Sequence, residues 1–184
     1  MTRRAFDPLH LDVAAFAQEG AALAGTWPMA DLGRLQQSQS APHDATAETV
    51  RWRVRGESRE AAGEAVQTWL HLQADAPVWL ACQRCLAPMR VDLSVDVPIR
   101  FVRGEAQAEA LDAESEFDVL ALAPAIDLRQ LVEDELLLAL PLVPRHEACP
   151  MPMAGERSGD ANADASRGEH PFSVLAGLKS RRGA

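Results

Sequence analysis

Two pairs of metal-ligating side chains are the residues in this sequence best suited to chemistry. Cys82 and Cys85 form a Cys-x2-Cys motif, and His146 and Cys149 have the same spacing further along the chain. Two thiolates from one tight turn can bind one metal ion, and a second pair completes a Cys3His tetrahedron typical of structural zinc. Four protein ligands leave no open position, so the pattern predicts one zinc that stabilises the fold and takes no part in catalysis.

Two other interpretations of these cysteines stay open. They can be unrelated small apolar side chains beside a surface histidine, or Cys82 and Cys85 can carry out thiol-disulfide exchange. A redox pair favours a helix N-terminus, which lowers a thiol pKa, but the residues after Cys85 do not continue as a helix. An odd number of cysteines, three, does not favour a disulfide framework.

Arginines at every second position form the other prominent pattern. Arg51, Arg53 and Arg55 alternate with apolar residues, which predicts a half-buried strand. The three guanidinium groups then share one face at a spacing of about 6–7 Å. This spacing is comparable with that of phosphates along a nucleic-acid strand, so the row can follow an RNA backbone.

The next predicted strand adds two candidates to that surface. If it pairs with the first as a hairpin, Trp69 and His71 share the arginine face, and Trp69 can stack on an unpaired base. The alternative is a solvated face on which Asp92 and Asp96 serve as cross-strand partners of the arginines.

One carboxylate falls on the apolar side of a predicted helix. Glu135 lies among leucines and valine on the helical wheel, and a buried carboxylate is costly unless it is paired. We predict pairing with Arg84, which would tie the helix to the cysteine turn; another arginine or backbone N–H groups are the alternative. Leu137 and Leu140 lie on the otherwise polar side and mark a candidate partner-facing patch.

The hydrophobic pattern predicts an α+β fold. We expect a small antiparallel sheet or partly open barrel, with an N-terminal helix, one long helix in the C-terminal half and a flexible tail. The first helix is predicted over residues 9–24 with Asp12 as its cap, and the later one follows Asp127. Short strands lie between residues 50 and 97, and the acidic segment 104–118 is predicted to be a solvated loop.

Length and composition set the domain organisation and limit the function classes. We predict one domain over residues 1–149, a flexible linker over 150–169 and a docking segment over 170–184. The net charge of the 184 residues is −9, which argues against a protein that coats nucleic acid. Residues 51–103, however, carry eight arginines against six acidic residues, so a confined basic contact stays open. Without an apolar run of about 20 residues or a signal peptide, we expect a cytoplasmic protein with no membrane contact.

An ordered set of motifs resembles the bacterial YceD family, the large ribosomal RNA subunit accumulation proteins. The motifs are Cys82-Gln83-Arg84-Cys85-Leu86, Ile126-Asp127-Leu128, the helical segment 131–141, His146 with Cys149, and the segment 171–179. The resemblance covers most of the chain from about residue 47 onward.

The resemblance implies a non-enzymatic factor in the synthesis, processing or stability of 23S rRNA, with no catalytic residues to assign. It implies 23S rRNA precursor or an assembling large ribosomal subunit as partner, and no small-molecule substrate. A protein-binding adaptor for a ribosomal protein or a processing nuclease is the alternative. A thiol-disulfide redox protein that uses Cys82 and Cys85 is less favoured.

Overall fold

An open five-stranded sheet dominates the structure, a computed structural model that describes residues 5–40, 48–60 and 66–150. Four strands form an antiparallel meander, and the short fifth strand pairs parallel with the fourth, so that spatial order follows chain order. The strands are β1 Ala22–Pro28, β2 Thr49–Arg59, β3 Gln67–Ala81, β4 Pro88–Val102 and β5 Val119–Ala121. The α+β fold is therefore confirmed, with an open sheet and not a barrel.

Helices cover both faces of this sheet. They are α1 Val13–Gln18, α2 Gly33–Ser38, α3 Glu105–Asp112 and α4 Leu128–Leu138, with a 3-10 helix at Met29–Asp31. Within the described ranges, no helix is long and apolar enough to cross a membrane.

The main core lies between the inner face of the sheet and three of the helices. Val54, Leu70 and Leu72 of the central strands pack there with Phe16 of α1 and Leu136 of α4, all fully or nearly fully buried. Each such side chain contributes about 1.5–3 kcal/mol when it leaves water. Since side chains alternate along a strand, the same pattern places the polar residues of β2 on the outer face.

The first helix is shorter than its predicted span of residues 9–24. Asp12 caps it as predicted, since its carboxylate accepts a hydrogen bond from the Ala15 N–H at 3.0 Å. Gly20, at φ +57°, ends the turn after Gln18, and the following residues form the edge strand β1. Gly56 of β2 then lets α1 pack on the sheet, because a Cβ there would lie 2.7 Å from the Ala17 Cα.

The third strand runs without interruption through Pro77. The ladder with β2 ends at Asp75, so the edge of β3 beyond it has no neighbouring strand. The N–H groups of Trp79 and Ala81 point to that edge and donate to side chains of the segment after α2. Pro77 has the same orientation two residues earlier, so its missing N–H costs the sheet no ladder bond.

The acidic segment is partly helical, and the prediction of a solvated loop over residues 104–118 is wrong. Gly104 turns the chain at φ +87°, and α3 follows it. Alanines favour the helix, and Ala108 is buried against Val102 and Val119 in a second small core. The acidic side chains cover only the outer side of this helix.

The structure does not describe residues from 151 onward, so the predicted docking segment and all but the first residue of the predicted linker lie outside it. Their boundaries therefore stay predictions.

Candidate metal centre and nucleic-acid interface

The first cysteine pair lies in the hairpin turn between β3 and β4. The Cys82 N–H donates to the Ala87 carbonyl at 3.0 Å, and the Leu86 N–H donates back to the Cys82 carbonyl at 2.8 Å. Leu86 lies in the left-handed region at φ 61°. These bonds close a tight loop that holds both thiols at one end of the sheet.

The second pair reaches this loop from the segment that follows α4. The Gln83 N–H donates to the Pro144 carbonyl at 2.8 Å, which fixes the two segments side by side. Arg84 adds to the junction, since its guanidinium donates to the carbonyls of His146 at 3.1 Å and Glu147 at 3.4 Å. The cysteine loop and the segment after α4 thus meet through one backbone hydrogen bond and two from the Arg84 side chain, all independent of any metal.

The four predicted ligands lie together, and their spacing fits a tetrahedral metal. All four ligand atoms are within 4.8 Å of one another. Cys82 Sγ lies 4.0 Å from Cys149 Sγ, and Cys85 Sγ lies 3.5 Å from His146 Nδ1. Zinc bond lengths imply tetrahedral edges of about 3.8 Å between two sulfurs and about 3.5 Å between sulfur and nitrogen. The arrangement is chemically suited to zinc.

Hydrogen bonds to the Cys82 sulfur favour the thiolate form that binds metal. Although burial opposes ionisation of Cys82, backbone N–H groups of His146, Cys85 and Arg84 lower its pKa to about 5. At Cys85, a backbone hydrogen bond from Ala87 also favours the thiolate, but burial and the neighbouring thiols outweigh it and raise the pKa. The Arg84 Nε donates to Cys149 Sγ at 3.0 Å, and this contact raises the pKa of Arg84. N–H donors around the ligands orient them and offset their negative charge, as outer partners do in metal sites generally.

The predicted pairing of Arg84 with Glu135 is wrong. The guanidinium of Arg84 is already bonded to Cys149 Sγ and to two backbone carbonyls beside the cysteine turn. Glu135 is 8% exposed on α4, and within residues 5–40, 48–60 and 66–150 no hydrogen bond or ion pair reaches its carboxylate. Burial, followed by the charges of Asp118 and Asp134, raises the pKa of Glu135.

Replacing Glu135 with glutamine is therefore expected to stabilise the protein at neutral and higher pH. The raised pKa means that the unfolded carboxyl ionises more readily than the folded one, so the native state loses stability as pH rises above the unfolded pKa. The gain in melting temperature of Glu135→Gln should vanish near pH 4. Glu109→Gln on the exposed side of α3 is the control, and a lower melting temperature for Glu135→Gln at pH 8 would contradict the assignment.

A neighbouring carboxylate, Glu133, makes the buried contacts that the sequence predicts for Glu135. Its Oε1 accepts from the backbone N–H groups of Arg34 at 2.7 Å and Leu35 at 3.0 Å. Its Oε2 accepts from the Arg34 Nε at 3.0 Å, and Asp134 binds the same guanidinium at 2.5 Å. Glu133 thereby caps α2 from α4. No local signal in the sequence predicts this contact, because its partners lie in a segment without clear periodicity.

The arginine row lies on the outer face of the sheet, as predicted for a half-buried strand. Arg51, Arg53 and Arg55 are all exposed. The partners differ from those expected, since β4 is not adjacent to β2. Arg51 contacts Asp75 of β3 at 3.8 Å, and Arg55 contacts Glu57 of its own strand at 3.4 Å. Such exposed pairs contribute little, about 0–1 kcal/mol, so a phosphate can compete with them.

Small side chains on the edge strand leave this row accessible. Arg51 and Arg53 lie opposite Thr26 and Ala24 of β1. The two arginines border an open depression of about 580 Å³, together with Gln73. Within the described part of the chain, Arg53 has no ion-pair partner. Arg53, in the middle of the row, therefore offers the freest positive charge.

Trp69 and His71 share the arginine face, but other side chains already occupy both of them. The Trp69 ring is 4% exposed because Phe117 covers it at 4.6 Å between ring centroids and Arg59 lies 4.4 Å over it. His71 Nε2 lies 2.8 Å from Glu57 Oε2. Arg59 and then His71 lower the pKa of Glu57 to about 2. Trp69 thus has no open ring face for an RNA base in this conformation.

The exposed leucines differ from those predicted. Leu137 and Leu140 pack against the main core, whereas Leu138 is 79% exposed. Leu86 of the cysteine turn and Leu142 after α4 are also exposed. Leu86 therefore places one exposed leucine beside the metal centre, whereas Leu137 and Leu140 do not form the exposed patch that the sequence predicts.

Comparison with known proteins gives one family. A family model described as "Large ribosomal RNA subunit accumulation protein YceD" matches residues 70–179. A protein of that name from Haemophilus influenzae is 36% identical over 104 residues, which are 55% of this chain. The chain spans about 60% of that relative's length, and no solved structure matches. The residues matched by the family model include the four candidate metal ligands, Glu133 and Glu135, whereas the arginine row precedes them.

Proposed function

Since the chain belongs to the YceD family, we propose that it supports accumulation of large ribosomal subunit RNA without catalysing a reaction. The family match is the observation that carries this proposal. The finer proposal is a cytoplasmic factor that acts on 23S rRNA precursor or on the assembling large subunit, in its synthesis, processing or stability. The relative's own name states large ribosomal RNA subunit accumulation and no more.

In this proposal, the arginine row makes a confined contact with RNA phosphates. It combines three exposed arginines at strand spacing with small neighbours on the edge strand. The net charge of −9 disfavours binding along the whole surface, so contact should be limited to this face. Because Trp69 is covered, phosphate contact contributes more than base stacking here.

We further propose that Cys82, Cys85, His146 and Cys149 hold one structural zinc. The metal would join the β3–β4 turn to the segment after α4 and so fix two elements that are distant in sequence. Its chemistry there is to bind four protein ligands, which leaves no position for a reacting water. This role accords with a factor that presents a surface and performs no reaction.

Replacing Arg51, Arg53 and Arg55 with glutamine is expected to weaken binding to large-subunit precursor RNA. Without these guanidinium groups fewer counterions leave the RNA on binding, so the affinity should depend less on salt. The slope of log affinity against log salt should fall by about 2 for three phosphates on a single strand. Filter binding across a salt series measures both quantities.

The matched control is Arg129→Gln on α4, whose contact with Asp127 is on the other side of the sheet. It should keep the wild-type affinity and slope. If the triple variant binds with an unchanged slope while its circular dichroism matches the wild type, the RNA surface is elsewhere.

A protein-binding adaptor is the second candidate, and the exposed Leu86, Leu138 and Leu142 favour it. Exposed leucines are typical of protein contacts more than of RNA contacts. In that case a ribosomal protein or processing nuclease would bind near the metal centre, and Leu138→Asp would abolish its capture while leaving RNA affinity intact.

A further inference from the structure

We propose that a cavity at the opposite end of the sheet from the cysteine turn binds a phosphate monoester. The cavity has a volume of about 360 Å³. This is at the lower end of the range for small-molecule sites, about 300–1,000 Å³. Its polar lining comes from the start of β3, the end of β4 and α3: Gln67, Thr68, Arg100, Arg103 and Gln107.

Two arginines in this lining lack a counter-charge. The Arg100 Nε is buried without a hydrogen-bond partner. Among the residues that the structure describes, neither Arg100 nor Arg103 forms an ion pair through its side chain. A buried charged donor without a partner costs free energy, and an anionic oxygen in the cavity would supply that partner.

The charge of the lining distinguishes this cavity from three others on the described surface. Each of those is bordered by at least one carboxylate. Asp75 borders the depression beside the arginine row, Asp75 and Asp92 border a second cavity, and Asp127 and Asp134 border a third beside α4. Among the residues that the structure describes, none of those lining the cavity at Arg100 and Arg103 is acidic. Its field therefore favours an anion.

The number of donors indicates a phosphate more than a carboxylate. Two guanidinium groups, the Gln107 amide and the Thr68 hydroxyl exceed what the two oxygens of a carboxylate can accept, whereas a phosphate monoester has three terminal oxygens and a charge near −2. The remaining volume can hold an attached nucleoside. The ligand can be a free nucleotide or the 5′-terminal nucleotide of an RNA, which present the same phosphate.

Calorimetric titration of the full chain tests the site. The probes are inorganic phosphate, UMP, a short 5′-phosphorylated oligoribonucleotide and its 5′-hydroxyl counterpart. We expect at least one phosphate monoester to bind, and Arg100→Gln and Arg103→Gln each to weaken it by about tenfold or more. Arg103 is exposed, so its variant should fold even if the Arg100 variant does not. Arg90→Gln, on the same strand, should bind as the wild type.

The oligonucleotide pair identifies the source of the ligand. Preference for the 5′-phosphorylated strand supports an RNA terminus, and binding of UMP without that preference supports a free nucleotide. Failure of the wild type to bind any phosphate monoester, or an unchanged affinity in Arg103→Gln, overturns the site. Either result leaves the RNA contact of the arginine row untouched, because the two cavities share no lining residue.

Discussion

Replacing Cys82 with serine is expected to lose the metal and lower the melting temperature by about 10 °C. A ligand present at a thousand times its Kd stabilises the native state by about 4 kcal/mol, and in a chain of this size each kcal/mol shifts the melting temperature by about 2–4 °C. The main core includes none of the four ligands, so the rest of the sheet should stay folded. Gln83→Ala in the same turn is the control, because only the Gln83 backbone contributes to the junction.

Metal analysis and thiol titration of the purified wild type complete this test. One zinc per chain with three unreactive thiols is expected, and a chelator should release the thiols and reproduce the loss of stability. Hydrogen exchange should then rise at residues 82–87 and 144–149 and not in the central strands. A metal-free protein with a Cys82–Cys85 disulfide under oxidising conditions would instead support the redox interpretation.

Replacing Glu133 with alanine is expected to lower the free energy of unfolding by about 3 kcal/mol and the melting temperature by about 6–12 °C. The substitution removes the acceptor of two backbone N–H groups at the start of α2 and a charge-assisted bond from Arg34. The side chain is 7% exposed, so water cannot replace these bonds without opening the contact between α2 and α4.

Asp134→Ala is the matched control for Glu133. It lies next in the chain and binds the same guanidinium, but its side chain is about half exposed. Its removal should therefore cost less than about 1 kcal/mol. Urea unfolding of both variants measures the difference; equal effects would show that the charge of Arg34, and not the cap on α2, accounts for the stability.

Local patterns were sufficient to predict the elements whose own residues decide them. Alternation of polar and apolar residues predicts β2 and its exposed arginines. Asp127 predicts the start of α4, and its carboxylate accepts hydrogen bonds from the N–H groups of Arg129 and Gln130. The grouping of Cys82, Cys85, His146 and Cys149 could also be predicted, because the Cys-x2-Cys and His-x2-Cys spacings each let one turn present two ligands to one ion.

Contacts between segments that are distant in sequence explain why the structure differs from the predictions for Glu135, Arg84 and Trp69. Glu133 and Glu135 are only two residues apart in the sequence. Arg34 of α2 lies beside Glu133 and binds it, whereas Glu135 has no such partner. Arg84 likewise binds the segment after α4, although its charge alone made Glu135 an equally plausible partner. Trp69 is covered because Phe117, from outside the predicted strands, packs on its ring.

Ultraviolet crosslinking in cells followed by sequencing of the bound RNA tests whether the protein contacts large-subunit RNA. We expect the wild type to recover 23S rRNA precursor, with crosslinked peptides that map to β2, and the Arg51→Gln, Arg53→Gln, Arg55→Gln variant to recover far less at equal protein level. Recovery of ribosomal proteins or a nuclease without precursor RNA, unchanged in that variant, would contradict direct RNA contact and favour the adaptor.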